Sequence, residues 1–204
     1  MKKIEKIKSY YLPKINTFNE DYEILGWENR ESHIARFESF ISNIDIRKYN
    51  SFLDVGCGVG SILDYFKNMN LKISYTGVDI LPEMVCKATK KHPESVFRCI
   101  DIFENNNLPN NFEIIYASGI FNINLGNNKI FLEKAINKFY QMNPHIIGFN
   151  LLHHKSPDKE NRYFYFSPEE TVKIIEKNGL KFKKIEIIEQ YLNNDFTIIC
   201  EKTN

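Results

Sequence analysis

The 204-residue chain lacks the residue patterns that define several special classes of protein. Its four cysteines form no CxxC pair, and no histidine stands at zinc spacing from them, which argues against a zinc site or a disulfide framework. We therefore expect reduced, mostly buried thiols in a cytoplasmic protein. No long apolar segment and no small-residue cleavage site follow the N-terminal lysines, so we expect neither a membrane partner nor a targeting peptide.

An excess of charge of one sign is also absent. The chain has 27 Lys and Arg against 26 Asp and Glu, a net charge of +1. Nucleic-acid-binding surfaces usually carry a clustered basic excess, so no nucleic-acid partner is expected. The lysine-rich start is interrupted by Glu5, and its spacing indicates a short helix that turns Ile4, Ile7 and Tyr11 inward. The length and the 43% hydrophobic content suit one globular domain.

Glycine is scarce, at nine residues, yet three glycines occupy alternate positions directly after a predicted buried strand. The segment from 52 to 60 reads FLDVGCGVG, and helical spacing of apolar residues begins after it, at Ser61. Glycines at these positions leave room for a group that lies against the backbone. A strand, a glycine turn and a helix N-terminus together form a nucleotide-type ligand site at the carboxyl edge of a parallel sheet.

The spacing of the glycines separates two ligand classes. Dinucleotide-binding folds use G-x-G-x-x-G, whereas the third glycine here falls one residue early, at Gly60. The segment resembles motif I of the class I S-adenosylmethionine-dependent methyltransferases, D/E-x-G-x-G-x-G. In that family the glycines let the backbone approach the methionine part of the cofactor, and the acid helps to hold its amino group. The resemblance therefore implies S-adenosyl-L-methionine as the cofactor and assigns this part of the site to Asp54, Gly56, Cys57, Gly58 and Gly60.

Two further predicted strands end in an acid. Asp79 ends the second strand, where an acid can accept hydrogen bonds from both ribose hydroxyls. The alternative is an ordinary strand-end or helix-cap aspartate, because a helix start with Pro82 in its first turn follows. The family resemblance implies that Asp101 meets the adenine amino group and that Ile102 packs on the ring. It also places at the cofactor Ile80, Met84, Ser118 and Gly119.

Strands and helices alternate along most of the chain. Strands are predicted near 51–55, 74–79, 96–100, 112–117 and 145–151, and helices near 60–69, 82–91 and 128–141, with a further helix starting at Ser167-Pro168. Two β-rich runs then form a closing antiparallel hairpin, Phe182 to Ile188 and Phe196 to Glu201. The resemblance implies an α/β fold with a doubly wound, seven-stranded, mostly parallel, Rossmann-like sheet. We expect one structural unit made of an N-terminal helical cap over 1–46 and a cofactor-binding methyltransferase domain over 47–204.

The loop after the fourth strand lies beside the transferable methyl group in this family. Enzymes that methylate adenine carry an N/D-P-P-Y/F tetrapeptide there, but the segment from 117 to 122 reads ASGIFN and has no proline. Adenine methylation is therefore not expected. Metal-dependent catechol-type enzymes place acids after this strand, and no acid occurs from Tyr116 to Asn128. We therefore expect no metal.

Histidine is the side chain that most readily takes a proton near neutral pH. His153 and His154 follow the fifth strand, on the edge of the sheet that carries the glycine turn, and are the predicted catalytic bases. The alternative is that they are exposed loop residues. Tyr163 and Tyr165 alternate with two phenylalanines in a short extended segment, and they either wall a substrate pocket or cover the core.

The segment before motif I resembles a group of small bacterial methyltransferases in which a Trp and an Arg-Phe pair stand at this distance. Arg36 either pairs with an anion of the cofactor or substrate through its planar fork, or is a surface arginine on an amphipathic helix. Trp27 either shelters the cofactor or fastens the cap, and His33 is expected to be structural. The candidate substrate contacts are Trp27, Arg36, Asn122, Tyr163 and Tyr165.

Three functions remain open at this stage. A methyltransferase acting on a small molecule is favoured, because the cap is compact and no basic tract is present. The expected acceptor atom is oxygen, and the resemblance suggests a sugar or another surface-glycan precursor. An RNA or protein methyltransferase would need a positive docking face. A non-catalytic cofactor-binding partner subunit is the third alternative, against which the intact glycines and acids count.

Overall fold

Three helices precede the first strand of the protein. The computed structural model describes residues 3–104, 111–177 and 179–203. The N-terminal helices are α1 (Lys3–Thr17), α2 (Asp21–Leu25) and α3 (Arg30–Ile41), followed by a 3-10 turn at Ile46–Lys48. The remaining elements are β1 (Ser51–Val55), α4 (Ser61–Asn68), β2 (Ser74–Asp79), α5 (Pro82–Lys91), β3 (Val96–Cys99), β4 (Ile114–Ala117), α6 (Asn128–Gln141), β5 (Ile146–Leu152), α7 (Pro168–Lys177), β6 (Phe182–Ile188) and β7 (Asp195–Lys202).

The seven strands form one sheet in the order β3-β2-β1-β4-β5-β7-β6. Strands β1 to β5 pair in parallel, and β7 inserts antiparallel between β5 and β6. This confirms the predicted seven-stranded, mostly parallel sheet with a closing hairpin. The chain order reverses between β1 and β4, and the crevice outside the carboxyl ends of strands at such a switch point is where ligands bind in open α/β sheets.

The central strands are buried on both faces because successive side chains point to opposite sides of the sheet. On one side Leu53 and Ile115 belong to a core that includes Leu132 of α6. On the other side Phe52 and Tyr116 belong to a core built with α3 and α4. The near-continuous apolar runs of β1, β4 and β5 follow from this double burial.

Helix α3 packs directly on one face of the sheet. The ring of Phe40 stacks on Tyr116 at 4.7 Å between centroids. A Cβ added to Gly148, in the middle of β5, would lie 2.1 Å from Phe40, so a larger side chain would displace the helix. Helix α1 instead contacts α2 and α5. The domain boundary at residue 46 stays a prediction, and these contacts associate α3 with the sheet.

No helix in the described ranges is long and apolar enough to cross a membrane. All four cysteines are free thiols: Cys57 and Cys200 are buried, whereas Cys86 and Cys99 are exposed. The expectation of mostly buried thiols therefore holds for only two of them. The exposed pair lies on α5 and the edge strand β3, where fewer elements cover the chain.

Candidate functional site

A cavity opens at the carboxyl ends of β1, β2 and β4, beside the switch point of the sheet. Every residue predicted to contact the cofactor lines this first cavity, with the exception of Gly60. The three acids that end the predicted strands, Asp54, Asp79 and Asp101, share its wall. The sequence pattern therefore identified residues that the fold brings together.

The glycine turn has a left-handed backbone, with φ of +75° at Gly56, +53° at Gly58 and +78° at Gly60. L-residues with a side chain rarely adopt this conformation. The first two glycines line the cavity, whereas Gly60 is the N-cap of α4. A Cβ at Gly60 would lie 3.0 Å from Phe97, so this glycine serves helix and strand packing outside the cavity.

Asp79 makes the contact of a strand-end cap, and its role at the ribose stays a prediction. Its Oδ1 accepts a hydrogen bond from the Leu81 N–H at 2.9 Å, which is the contact of a strand-end cap. Its Oδ2 accepts one from the Gly58 N–H at 3.0 Å, which fastens the carboxylate to the glycine turn. Burial raises the pKa of Asp79, and these backbone donors oppose the rise. A carboxylate has lone pairs for about four donors, so both oxygens can still accept from a ligand.

Asp54 is less well compensated than Asp79. Its Oδ2 accepts one hydrogen bond, from the Tyr75 hydroxyl at 2.9 Å. Burial raises the pKa of Asp54 to about 7, against a smaller lowering by that hydrogen bond. A positively charged ligand group placed beside this carboxyl would favour its ionised form.

The third acid is reached by the N-terminus of α1. Asp101 accepts a hydrogen bond from the Phe103 N–H at 3.0 Å, and its Oδ2 lies 3.5 Å from Lys3 Nζ. The Lys3 ammonium also lies 4.3 Å from the centroid of the Phe131 ring. Ile102 is buried beside it, on the wall of the cavity.

Helices α1 and α2, which lie in the predicted N-terminal helical cap, cover the cavity. Ile7 and Tyr11 of α1 and Leu25 of α2 line it. The cover is held down by a hydrogen bond between the hydroxyls of Tyr10 and Tyr163, at 2.6 Å. The inward-facing spacing of Ile7 and Tyr11 was visible in the sequence, but nothing in it showed which surface they would meet.

Two buried polar atoms on the wall of the first cavity are unsatisfied, one in the loop after β4 and one before α3. Neither Ser118 Oγ nor Trp27 Nε1 has a hydrogen-bond partner within the described part of the chain. Both residues line the first cavity, and the Trp27 ring lies 3.1 Å from the place of a Cβ on Gly119. Buried polar groups are rarely left unpaired, so these atoms indicate a polar ligand.

A second cavity, of about 530 Å³, adjoins the first. The two cavities share Tyr11, Leu25, Trp27 and Ile123. All five candidate substrate contacts line the second cavity: Trp27, Arg36, Asn122, Tyr163 and Tyr165. Phe164 and Phe166, which alternate with the two tyrosines, pack against the core instead. The two tyrosines therefore line a cavity, and their contact with a substrate stays a prediction.

Arg36 is not a surface arginine. Its side chain is 3% exposed and forms a two-pronged ion pair with Asp195 of β7, with Nε–Oδ1 at 3.0 Å and Nη2–Oδ2 at 2.5 Å. Burial raises the pKa of Asp195, and the neighbouring Arg36 opposes this rise. The guanidinium also stacks over the Trp27 ring at 3.9 Å. Its charge is matched within the chain, so the geometry gives no support to its predicted role as an anion ligand.

His153 and His154 line neither cavity. His153 is 6% exposed, which contradicts the alternative that it is an exposed loop residue. Its Nδ1 accepts a hydrogen bond from the Lys155 N–H, so the ring proton is assigned to Nε2, which faces Glu189 Oε1 at 2.9 Å. Both ring nitrogens are thus engaged. Since neither histidine lines a cavity, the geometry gives no support to their predicted role as catalytic bases.

His33 lines the first cavity, although the sequence offered only a structural role for it. Its ring lies 4.8 Å from Phe37 and 6.0 Å from Trp27, between centroids. Burial lowers the pKa of His33 to about 3, so the imidazole is neutral at physiological pH. The cavity wall therefore carries no positive charge at this position.

The chain is similar in sequence to known methyltransferases. A family model described as a methyltransferase domain matches residues 53–141. A putative methyltransferase of Mycobacterium tuberculosis is 36% identical over 78 residues, which are 37% of this chain and 44% of that protein. The matched segments span less than half the length of the curated relatives.

Two solved structures share the fold over nearly the whole chain. An S-adenosylmethionine-dependent methyltransferase from Clostridium acetobutylicum superimposes with a TM-score of 0.64 at 14% identity, covering 98% of this chain and 99% of that one. A magnesium protoporphyrin IX methyltransferase from Synechocystis, solved with S-adenosylhomocysteine bound, gives a TM-score of 0.64 at 12% identity, covering 98% and 100%. At such low identity the likeness establishes the fold.

Proposed function

We propose that this chain is a class I S-adenosylmethionine-dependent methyltransferase, which binds S-adenosylmethionine in the first cavity and methylates a small molecule held in the second. The observation that carries the proposal is the pairing of the two cavities. They share a wall at the carboxyl edge of the sheet, where the glycine turn and the three acids meet. A methyl group passed between two ligands needs such an adjoining arrangement.

The residues of the first cavity fit this cofactor. A Cβ on Gly58 would lie 2.6 Å from Leu25, so the narrow space over the turn exists only because the side chain is absent. Unsatisfied Ser118 Oγ and Trp27 Nε1 offer hydrogen bonds to a polar ligand. We assign Asp79 to the ribose hydroxyls and Asp101, with Ile102, to the adenine. We assign the methionine part of the cofactor to Asp54 and the glycine turn.

Bound S-adenosylmethionine supplies a methyl group already activated on a sulfonium centre. The chain then has two tasks: to align the acceptor and to exclude water from the reacting atoms. Tyr11, Trp27 and Ile123 occur on both cavity walls and stand where the two ligands would meet. We assign the alignment to these three residues.

We further propose that the acceptor atom is an oxygen, in a sugar or another surface-glycan precursor. The second cavity has the volume of a small-molecule site, and five tyrosines, including Tyr163 and Tyr165, line its walls at positions that suit a hydroxylated acceptor. The covering helix α1 leaves the acceptor inside a pocket, which favours a small molecule over an RNA or protein surface.

The cofactor assignment is tested with the Asp79→Ala variant in calorimetry with S-adenosylhomocysteine. Each hydrogen bond lost with a carboxylate acceptor costs about 1.5–3 kcal/mol of binding free energy. We therefore expect the dissociation constant to rise by at least about tenfold. Unchanged affinity would show that the ribose assignment is wrong. The acceptor is then sought with labelled S-adenosylmethionine against nucleotide sugars, phosphorylated metabolites and RNA, where preferential labelling of RNA would reverse the assignment.

A further inference from the structure

The second cavity carries an uncompensated negative charge. Two of its three basic side chains are already matched, because Arg36 pairs with Asp195 and Arg162 pairs with Glu160 at 2.5 Å. Lys14 is the third basic side chain on the wall. Three further carboxylates line the same cavity and form no ion pair within the residues that the structure describes: Glu23, Glu28 and Asp158.

The aromatic wall adds to this preference for positive charge. The Lys14 ammonium lies 5.1 Å from the Tyr10 ring centroid, and the Arg162 guanidinium lies 5.3 Å from that of Tyr163. The face of an aromatic ring attracts cations, and here it already does so with the chain's own side chains. Tyr22 and Phe18 extend the same wall. An anionic acceptor would meet repulsion from the carboxylates and no free basic partner but Lys14.

The wall of the second cavity also offers a hydrogen-bond acceptor. Asn122 is 6% exposed, lines the second cavity, and its Oδ1 has no hydrogen-bond partner in the described part of the chain. The residue is held in place by its backbone, because its N–H donates to the Gly119 carbonyl at 3.1 Å and its carbonyl accepts from the Phe164 N–H at 2.8 Å. A fixed, unsatisfied amide oxygen selects a ligand that presents O–H or N–H.

We propose that the second cavity takes an amino alcohol of sugar size, with its reacting hydroxyl at Asn122 and its ammonium group toward Glu23, Glu28 and Asp158. This inference rests on the proposed function. The acceptor oxygen forms a bond to the methyl carbon while the carbon–sulfur bond breaks, and the electron pair of that bond stays on sulfur. The hydroxyl proton leaves to solvent, because an amide oxygen orients a hydroxyl but does not retain its proton.

Three sugars that differ in charge test the proposal by binding alone. The protein is saturated with S-adenosylhomocysteine and titrated calorimetrically with glucosamine, glucose and glucose 6-phosphate at low salt. We expect affinity to fall in that order. Glucosamine should bind at least about threefold more tightly than glucose, which is the contribution expected from one or two exposed ion pairs. Raising the salt should weaken the glucosamine preference, because exposed charges are screened.

Variants assign the preference to the named residues. Asp158→Asn and Glu23→Gln should each reduce the preference for glucosamine over glucose by about two- to fivefold. Glu170→Gln is the matched control, since it removes an exposed carboxylate that pairs with Lys129 on another face, and it should leave the preference unchanged. Asn122→Ala should weaken all the sugars while its affinity for S-adenosylhomocysteine, which reports that the variant is folded, is retained.

The outcomes separate this inference from the proposed function. Glucose 6-phosphate binding as tightly as glucosamine overturns the inference, and so does the absence of binding by all three sugars to the cofactor-loaded protein. Failure of the protein to bind S-adenosylhomocysteine would instead contradict the proposed function.

Discussion

At the scale of single residues, two aspartates of the same cavity differ in how their charge is solvated. Asp79 receives hydrogen bonds from two backbone N–H groups, whereas Asp54 receives one from the Tyr75 hydroxyl. Backbone donors that point at a carboxylate favour its ionised form. Asp54 therefore stays protonated to a higher pH, and this has a measurable effect on stability.

We expect the stability difference between Asp54→Asn and the native protein to depend on pH. The pKa of Asp54 is raised from 3.8 to about 7 in the folded protein. Its protonated form stabilises the fold fully below about pH 4, and this contribution is lost as the pH rises through about 7. Asparagine does not titrate. The free energy of unfolding of the variant, relative to the native protein, should therefore rise by up to about 1.4 kcal/mol per pH unit over that window.

Denaturant unfolding without ligand, at pH 5, 6, 7 and 8, measures this difference. The substitution removes the titrating group and little else, because the asparagine amide oxygen can still accept a hydrogen bond from the Tyr75 hydroxyl. Stability curves that run parallel over the whole range would show that Asp54 is already ionised in the folded protein.

The histidines after β5 give a second residue-scale prediction. Both nitrogens of His153 are engaged, and neither histidine lines a cavity. We expect His153→Gln and His154→Gln to change turnover by less than about twofold, since general-base catalysis contributes about a hundredfold or more. Rates are measured with labelled cofactor once an acceptor is found. A loss of a hundredfold in either variant, with cofactor affinity retained, would restore that histidine as the base.

Residue identities at the first cavity were largely predictable, since glycines and acids at strand ends have local signatures. Tyr11, Leu25 and His33 were not, because an apolar residue or a histidine on a helix has the same local pattern whether it faces a core or a ligand. Their roles depend on how the covering helices dock, which is a tertiary contact.

At the scale of elements, α3 is bound to the sheet by both apolar and charged contacts. Phe40 fills the space over Gly148, and Arg36 reaches Asp195 on β7. Helix α3 begins with a capping box, in which the Asn29 side chain accepts from the Ser32 N–H at 2.7 Å. The amphipathic spacing of α3 was evident from the sequence. The insertion of β7 beside β5, which supplies the ion-pair partner, was not a local feature.

Breaking this ion pair should be costly. Arg36→Met keeps the length of the side chain but leaves Asp195 buried and unpaired, so we expect a loss of about 3–5 kcal/mol in the free energy of unfolding. Lys129→Met removes one partner of an ion pair with Glu170 whose two side chains are 50% and 53% exposed, and it should cost less than about 1 kcal/mol. Urea unfolding measures both. Equal losses would mean that the Arg36 pair does not join α3 to β7 energetically.

At the scale of the whole molecule, the alternation of strands and helices was sufficient to predict the class of fold and, from β1 onward, the element ends to within two residues. The single seven-stranded sheet came from family resemblance, and the order of its strands was not predicted, since periodicity identifies a strand and not its neighbours. The second cavity was beyond such reasoning, because its walls come from α1, α2, the loop after β4 and the segment before α7.

Ligand binding should stabilise the entire fold. S-adenosylhomocysteine at a hundred times its dissociation constant is expected to add about 2.7 kcal/mol to the free energy of unfolding. Gly58→Val should abolish this gain, because its side chain would meet Leu25 and its φ of +53° is strained. Gly126→Val shares the strain, at φ +85°, but a Cβ there has no neighbour within 4 Å. This control should keep the full stabilisation by S-adenosylhomocysteine in thermal-shift measurements. If Gly126→Val also lost the stabilisation, the effect of Gly58→Val could not be assigned to the glycine turn.

The wall shared by the two cavities has a thermodynamic consequence. Tyr11, Leu25, Trp27 and Ile123 line both cavities, so under the proposed function they take part in both binding equilibria. Whatever factor the acceptor imposes on cofactor affinity, the cofactor must impose on acceptor affinity, since coupling free energies are reciprocal. A substitution at Trp27 therefore changes a single coupling term that two separate titrations must report with the same value.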